Sequence, residues 1–101
     1  MENIILLVIG LLISALGIVN ISGNISTIHS YNRRKVREED IPKYGRVMGS
    51  GTLIIGISLI LSFALISLDV DISIDYIVIP AVIVGVAIML YGQFKYNKGI
   101  F

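Results

Sequence analysis

The run Ile4-Ile5-Leu6-Leu7-Val8-Ile9-Gly10-Leu11-Leu12-Ile13-Ser14-Ala15-Leu16-Gly17-Ile18-Val19 contains no ionisable side chain. With its flanks it forms an apolar block over residues 3–22, which as a helix rising about 1.5 Å per residue spans about 30 Å, the thickness of a hydrocarbon core. A soluble protein can rarely bury such a helix on every side. Two further blocks, residues 47–68 and 76–94, are also free of charge. Hydrophobic residues make up 55% of the chain and charged residues 15%. Average soluble chains hold roughly 45–50% and about 25%. The arrangement is more telling than the totals, because almost every charge lies between or outside the three blocks. Ile and Val would favour strands in water. In lipid that preference loses, since an isolated strand leaves its backbone polar groups unsatisfied. The expectation is an all-α membrane protein: one domain, residues 1–101, with three transmembrane helices.

The first block does not read as a cleaved signal peptide, which opens on a positive region and carries a shorter apolar run. Here Met1-Glu2-Asn3 precedes the block and supplies no basic side chain. Pro80 is expected near the first turn of the third helix, where a missing N–H costs little.

Charge in the loops orients the chain. Residues 23–46 hold Arg33, Arg34, Lys35, Arg37, Lys43 and Arg46, and the tail adds Lys95 and Lys98. Residues 69–75 hold Asp69, Asp71 and Asp75 with no basic partner. Positive-inside bias puts the basic loop and the C-terminus in the cytoplasm, and the N-terminus and acidic loop outside.

Small residues recur at helical spacing. Gly10, Ser14 and Gly17 share a face of the first helix, as do Gly45, Gly49, Thr52 and Gly56 of the second and Ala81, Gly85 and Gly92 of the third. Lipid tails give no hydrophobic drive between helices, so close backbone approach carries much of their association. These stripes read as packing faces toward helices of the same chain or of another.

In the basic loop, Arg33, Arg34, Lys35 and Arg37 are candidates for lipid headgroup contact, each worth about 1 kcal/mol near an anionic surface. Ile25, Ile28, Val36 and Ile41 are expected to dip toward the headgroups. Glu38, Glu39 and Asp40 ahead of Pro42 suit the start of the second helix, complementing its dipole. Tyr31-Asn32, then Arg37-Glu38-Glu39, Lys43-Tyr44 and Gly49 at the start of an apolar helix together resemble the DUF3784 group of small three-helix Firmicutes membrane proteins. Ile28-His29-Ser30 stands where that group often carries Ala-Gly before its Tyr-Asn, and Pro42 is a second departure. The resemblance implies the three-helix topology and supplies no catalytic residue.

The chemistry is otherwise sparse. Without Cys there is no disulfide, thiolate nucleophile or Cys-based metal site. His29 is the lone histidine and reads as an interfacial polar residue, not as a zinc ligand. The three aspartates of residues 69–75 lack the Gly-turn spacing of an EF-hand and read as an outward acidic loop. Asn20-Ile21-Ser22 and Asn24-Ile25-Ser26 match glycosylation acceptors formally but fall at the expected inner face. Pumps and ion carriers place ionisable groups inside their spans. Here the interior polar groups are Ser14, Thr52, Ser58 and Ser62, which can bond their own helix backbone, with Asn20 and Gln93 near helix ends. The net charge of +1 offers nothing to nucleic acid.

The expected function is that of a small multi-pass cell-membrane protein, not an enzyme. It needs no cofactor and acts through helix packing and lipid contact as an accessory or interaction protein. Its expected partners are the bilayer and either a second copy or a larger membrane protein. The alternative is a homo-oligomeric transporter or channel subunit for small or hydrophobic solutes.

Overall fold

A computed structural model describes residues 2–28 and 33–99. Three long helices follow in order among the described residues: α1, Glu2–Ile21; α2, Ile41–Ser67; and α3, Asp75–Tyr96. A short 3-10 turn, Glu38–Asp40, leads into α2. Each of the three helices is long and apolar enough to cross a membrane. Among the described residues there is no strand, and the bundle measures 47 × 20 × 18 Å.

α2 starts six residues before the expected position 47. The run Ile41-Pro42-Lys43-Tyr44-Gly45-Arg46 is helical although it carries two cations. Pro42 in the first turn is preset for a helix and lacks an N–H that would find no partner there. Tyr44 and Gly45 are buried while Lys43 and Arg46 stay exposed, so the extra turn has an inner and an outer face. Lys43 and Arg46 therefore belong to α2 and not to the connecting loop. Pro80 lies further into α3 than the first turn. It leaves the Tyr76 carbonyl without a ladder donor, and Tyr76 is 77% exposed, where water or headgroups can serve that carbonyl.

Two helix ends are closed by the same device. After α1, Gly23 takes φ 106°; its N–H donates to the Asn20 carbonyl at 3.0 Å, and that of Asn24 donates to Val19 at 3.2 Å. After α2, Asp69 takes φ 58°; its N–H donates to Ile66 at 3.1 Å, and that of Val70 donates to Leu65 at 3.0 Å. Both are Schellman caps, which satisfy the last carbonyls of a helix through a left-handed residue.

α2 is the centre of the molecule. α1 and α3 each pack against it and hardly touch one another. A Cβ added at Gly17 would lie 2.8 Å from the Gly49 carbonyl oxygen, and one at Gly10 would lie 3.0 Å from that of Gly56. Seven residues separate each pair along its own helix, two turns running in opposite directions, so the antiparallel register holds over this stretch. On the α3 side, Gly51 and Gly85 approach in the same way, with added Cβ atoms 2.5 and 2.7 Å from the opposite carbonyl oxygen.

The burial pattern is inverted relative to a water-soluble domain. Apart from Tyr44 and Met48 near the loop end, the buried residues of the spans are small or polar: Gly10, Ser14, Gly17, Gly49, Gly56, Ser58 and Ser62 among them. Ile5, Leu12, Ile57, Ile83 and Phe94 are more than half exposed. Such a surface would be an aggregation hazard in water and is ordinary against hydrocarbon.

Candidate functional site

The small residues fall on two faces of α2, not one. Gly45, Gly49 and Gly56 meet α1 at Asn20, Gly17 and Ser14 respectively. Thr52, drawn into the same stripe by its spacing, belongs to the other face. Its hydroxyl bonds the Met48 carbonyl at 2.9 Å and lies 3.9 Å from the Met89 sulfur on α3. Gly51, which the spacing argument passed over, is the residue that seats Gly85. Gly92 rests on Val47 and Met48, and Ala81 is half-buried. These faces meet within one chain.

Ser14 departs from the expectation that every hydroxyl in the spans bonds its own helix. Ser58 and Ser62 do so, donating to Ile55 at 2.6 Å and to Ser58 at 2.8 Å. The Ser14 hydroxyl is buried against Gly56 and has no hydrogen-bond partner.

At the loop end of the bundle the character changes. Tyr44 is fully buried, and its hydroxyl donates to the Gln93 side-chain oxygen on α3. The Tyr44 and Tyr96 rings meet edge to face with centroids 6.4 Å apart. Ile25 and Met48 are buried against Tyr44, with Ile28, Val36 and Ile41 packed around them. These side chains pack at least in part against the protein, where Tyr44 and Met48 offer a dry surface. Asn97, also fully buried, accepts the Lys35 backbone N–H at 2.8 Å and donates to the Gly99 carbonyl at 2.8 Å.

The cations of the loop are divided. Arg33 is half-buried and donates to the Ile28 carbonyl at 2.9 Å. Arg34 and Lys35 are exposed. Arg37 is also exposed and pairs with Glu39 at 3.2 Å, a surface contact worth under about 1 kcal/mol. His29 and the Tyr31-Asn32 pair lie outside the described residues. Asp69, Asp71 and Asp75 are all exposed.

Because α1 and α3 part company beside α2, a cavity of about 390 Å³ opens among the three helices and the loop. Met48 and Thr52 line it from α2, Leu16 and Asn20 from α1, and Met89 and Gln93 from α3. Thr27 and Ile28 close its loop end. Its volume falls in the lower part of the range for small-molecule sites, roughly 300–1,000 Å³. Among the described residues no charged one lines it. Asn20 is 4% exposed; its amide nitrogen donates to the Asn24 carbonyl at 3.0 Å and to the Thr27 hydroxyl at 2.8 Å. Sequence reasoning marked Asn20 and Gln93 only as polar groups near helix ends. What brings them to one cavity is the three-dimensional arrangement.

No family model matches the chain, and no curated protein or solved structure matches it significantly.

Proposed function

We propose that this chain is a multi-pass protein of the cell membrane that works as a non-catalytic accessory or interaction protein through its helix and lipid contacts. The observation that carries the reading is the division of its surfaces. The small-residue faces are consumed inside the chain, where Gly17 meets Gly49 and Gly51 meets Gly85. The faces left outward are bulky and apolar, such as Leu12 on α1 and Ile83 on α3. These suit lipid or the side of a larger membrane protein. A homo-oligomeric transporter is the weaker reading, because the close-packing faces that would have joined its subunits are already occupied.

Other features favour the same view. The spans carry no ionisable residue in their interior. The unpartnered Ser14 hydroxyl is sealed against Gly56, with no general base in reach to activate it. The basic loop and tail support an orientation with the N-terminus outside and the C-terminus in the cytoplasm. The likeness to the DUF3784 group belongs to this proposal as well. Two residues that carry it, Tyr44 and Gly49, are buried packing residues.

Native mass spectrometry of the protein extracted gently from its membrane tests the role. A complex with a different membrane protein is expected. A defined homo-oligomer would favour the transporter, and a lone monomer would remove the accessory role. Orientation is tested separately with single cysteines at Ser73 and Arg34. Only the first should react with an impermeant thiol reagent on intact cells.

A further inference from the structure

We infer that the cavity at the loop end binds an uncharged single-chain amphiphile whose head is a hydroxyl group. The inference deepens the lipid-contact part of the proposed function and rests on the chain being membrane-embedded. It does not depend on the accessory role.

The hydrogen-bond accounting at Asn20 sets the head chemistry. Both amide hydrogens of Asn20 are spent, one on the Asn24 carbonyl and one on the Thr27 hydroxyl. Among the described residues no donor reaches its side-chain oxygen, although the residue is 4% exposed. The oxygen is open to the cavity, and a donor brought to it gains the net worth of one hydrogen bond, about 0.5–1.5 kcal/mol. Thr27 accepts from Asn20 and keeps its own proton to give. The cavity therefore presents one open acceptor and one open donor at its polar end. A hydroxyl answers both with a single atom.

Charge argues the same way. With no basic side chain among the described lining residues, a carboxylate head would be desolvated uncompensated and would face the Asn20 oxygen. An ammonium head would find no carboxylate. The body must be apolar, because Leu16, Met48, Val86, Met89 and Leu90 supply the rest of the wall. The two methionines can repack around a chain of varied shape. At about 30 Å³ per non-hydrogen atom, 390 Å³ takes roughly a dozen such atoms. A longer tail can leave through the opening between α1 and α3, where the two helices hardly meet.

The test uses the full chain in lipid nanodiscs and a photoreactive alkyl-diazirine analogue of dodecanol. Labelling is expected to saturate and to map to peptides bearing Leu16, Met48 and Met89. Unlabelled dodecanol should compete at least about tenfold better than dodecanoate, the ratio expected for about one hydrogen bond's difference in free energy. Competition by monododecanoylglycerol as strong as by dodecanol would support a membrane lipid as the source of the hydroxyl. Competition by dodecanol alone would support a free alcohol. Val86→Trp, on the partly open wall, should cut labelling at least about tenfold with the melting temperature unchanged. Leu16→Trp should do the same from the opposite wall. The inference is overturned by labelling that does not saturate and spreads over lipid-facing residues such as Leu61. Equal competition by dodecanoate would overturn it too, as would full labelling of both tryptophan variants. A protein that binds dodecanol yet is extracted alone would keep this inference and discard the accessory role.

Discussion

Gly17 and Gly49 oppose one another so closely across the α1–α2 seam that a Cβ on either would strike the carbonyl oxygen of the other. Where the side chain would begin, each residue has a hydrogen pointing at that oxygen. The pair is therefore a reciprocal Cα–H···O contact, worth about 0.5–1 kcal/mol for each bond. Gly10 with Gly56 and Gly51 with Gly85 repeat it. The recurrence explains why glycine, the worst ordinary helix former, is placed in the middle of helices.

Gly49→Ala sets two effects against each other. Alanine gains about 1 kcal/mol of helix propensity, while overpacking costs typically 1–3 kcal/mol and more where the neighbour cannot yield. The Gly17 carbonyl and the Ile21 amide are backbone and cannot yield. Gly49→Ala should therefore lower the melting temperature in detergent. Gly92→Ala should lower it less, because the atoms it meets belong to the side chains of Val47 and Met48. Equal losses in the two variants would contradict the seam.

Ser14→Ala should leave the protein as stable as before or raise its stability by up to about 1–3 kcal/mol, the cost of a buried unsatisfied hydroxyl. A reversible unfolding titration would measure it. A clear loss of stability would mean that the Ser14 oxygen is held by its contact with Gly56 more strongly than a weak hydrogen bond allows.

Asp69→Gly should stabilise the turn after α2 by about 0.5–1 kcal/mol, since φ 58° is easier for glycine. Asp69→Val should cost more than that, because a β-branched residue is strained in the left-handed region. Thermal melts of the two variants should move in opposite directions.

Tyr44→Phe removes the hydroxyl that donates to Gln93, at a cost of about 0.5–1.5 kcal/mol, read as a lower melting temperature. Asn97→Ala releases the Lys35 amide, with up to about a tenfold faster tryptic cut at the exposed Arg34 and Lys35. Time-resolved proteolysis followed by mass spectrometry would detect it. An unchanged cleavage rate would show that the loop is held by its apolar cluster alone.

The three spans were legible because hydropathy is a local property and needs no knowledge of neighbours. The start of α2 was not, since Lys43 and Arg46 break the apolar run while Tyr44 and Gly45 continue the buried face between them. A sliding average cannot separate those faces, although helical periodicity can. Gly51 was missed for a related reason. One stripe per helix suits an outer helix, and α2 has two because it lies between the others. The cavity and the Tyr44–Gln93 bond depend on residues far apart in the chain. The visible signal was the pair of carboxamides, Asn20 and Gln93, near the ends of otherwise apolar helices.

The hydrogen bond from Lys35 to Asn97 joins residues 62 positions apart. At about 5–20 residues per second, the ribosome needs roughly 3–12 s to make Asn97 after Lys35. For that interval the basic loop has no clamp, and its positive charge is free to direct insertion while α2 and α3 are being made. The clamp closes only after α3 has been made, so a held Lys35 amide reports that α3 is in place. A product truncated before Asn97 leaves the Lys35 amide unheld.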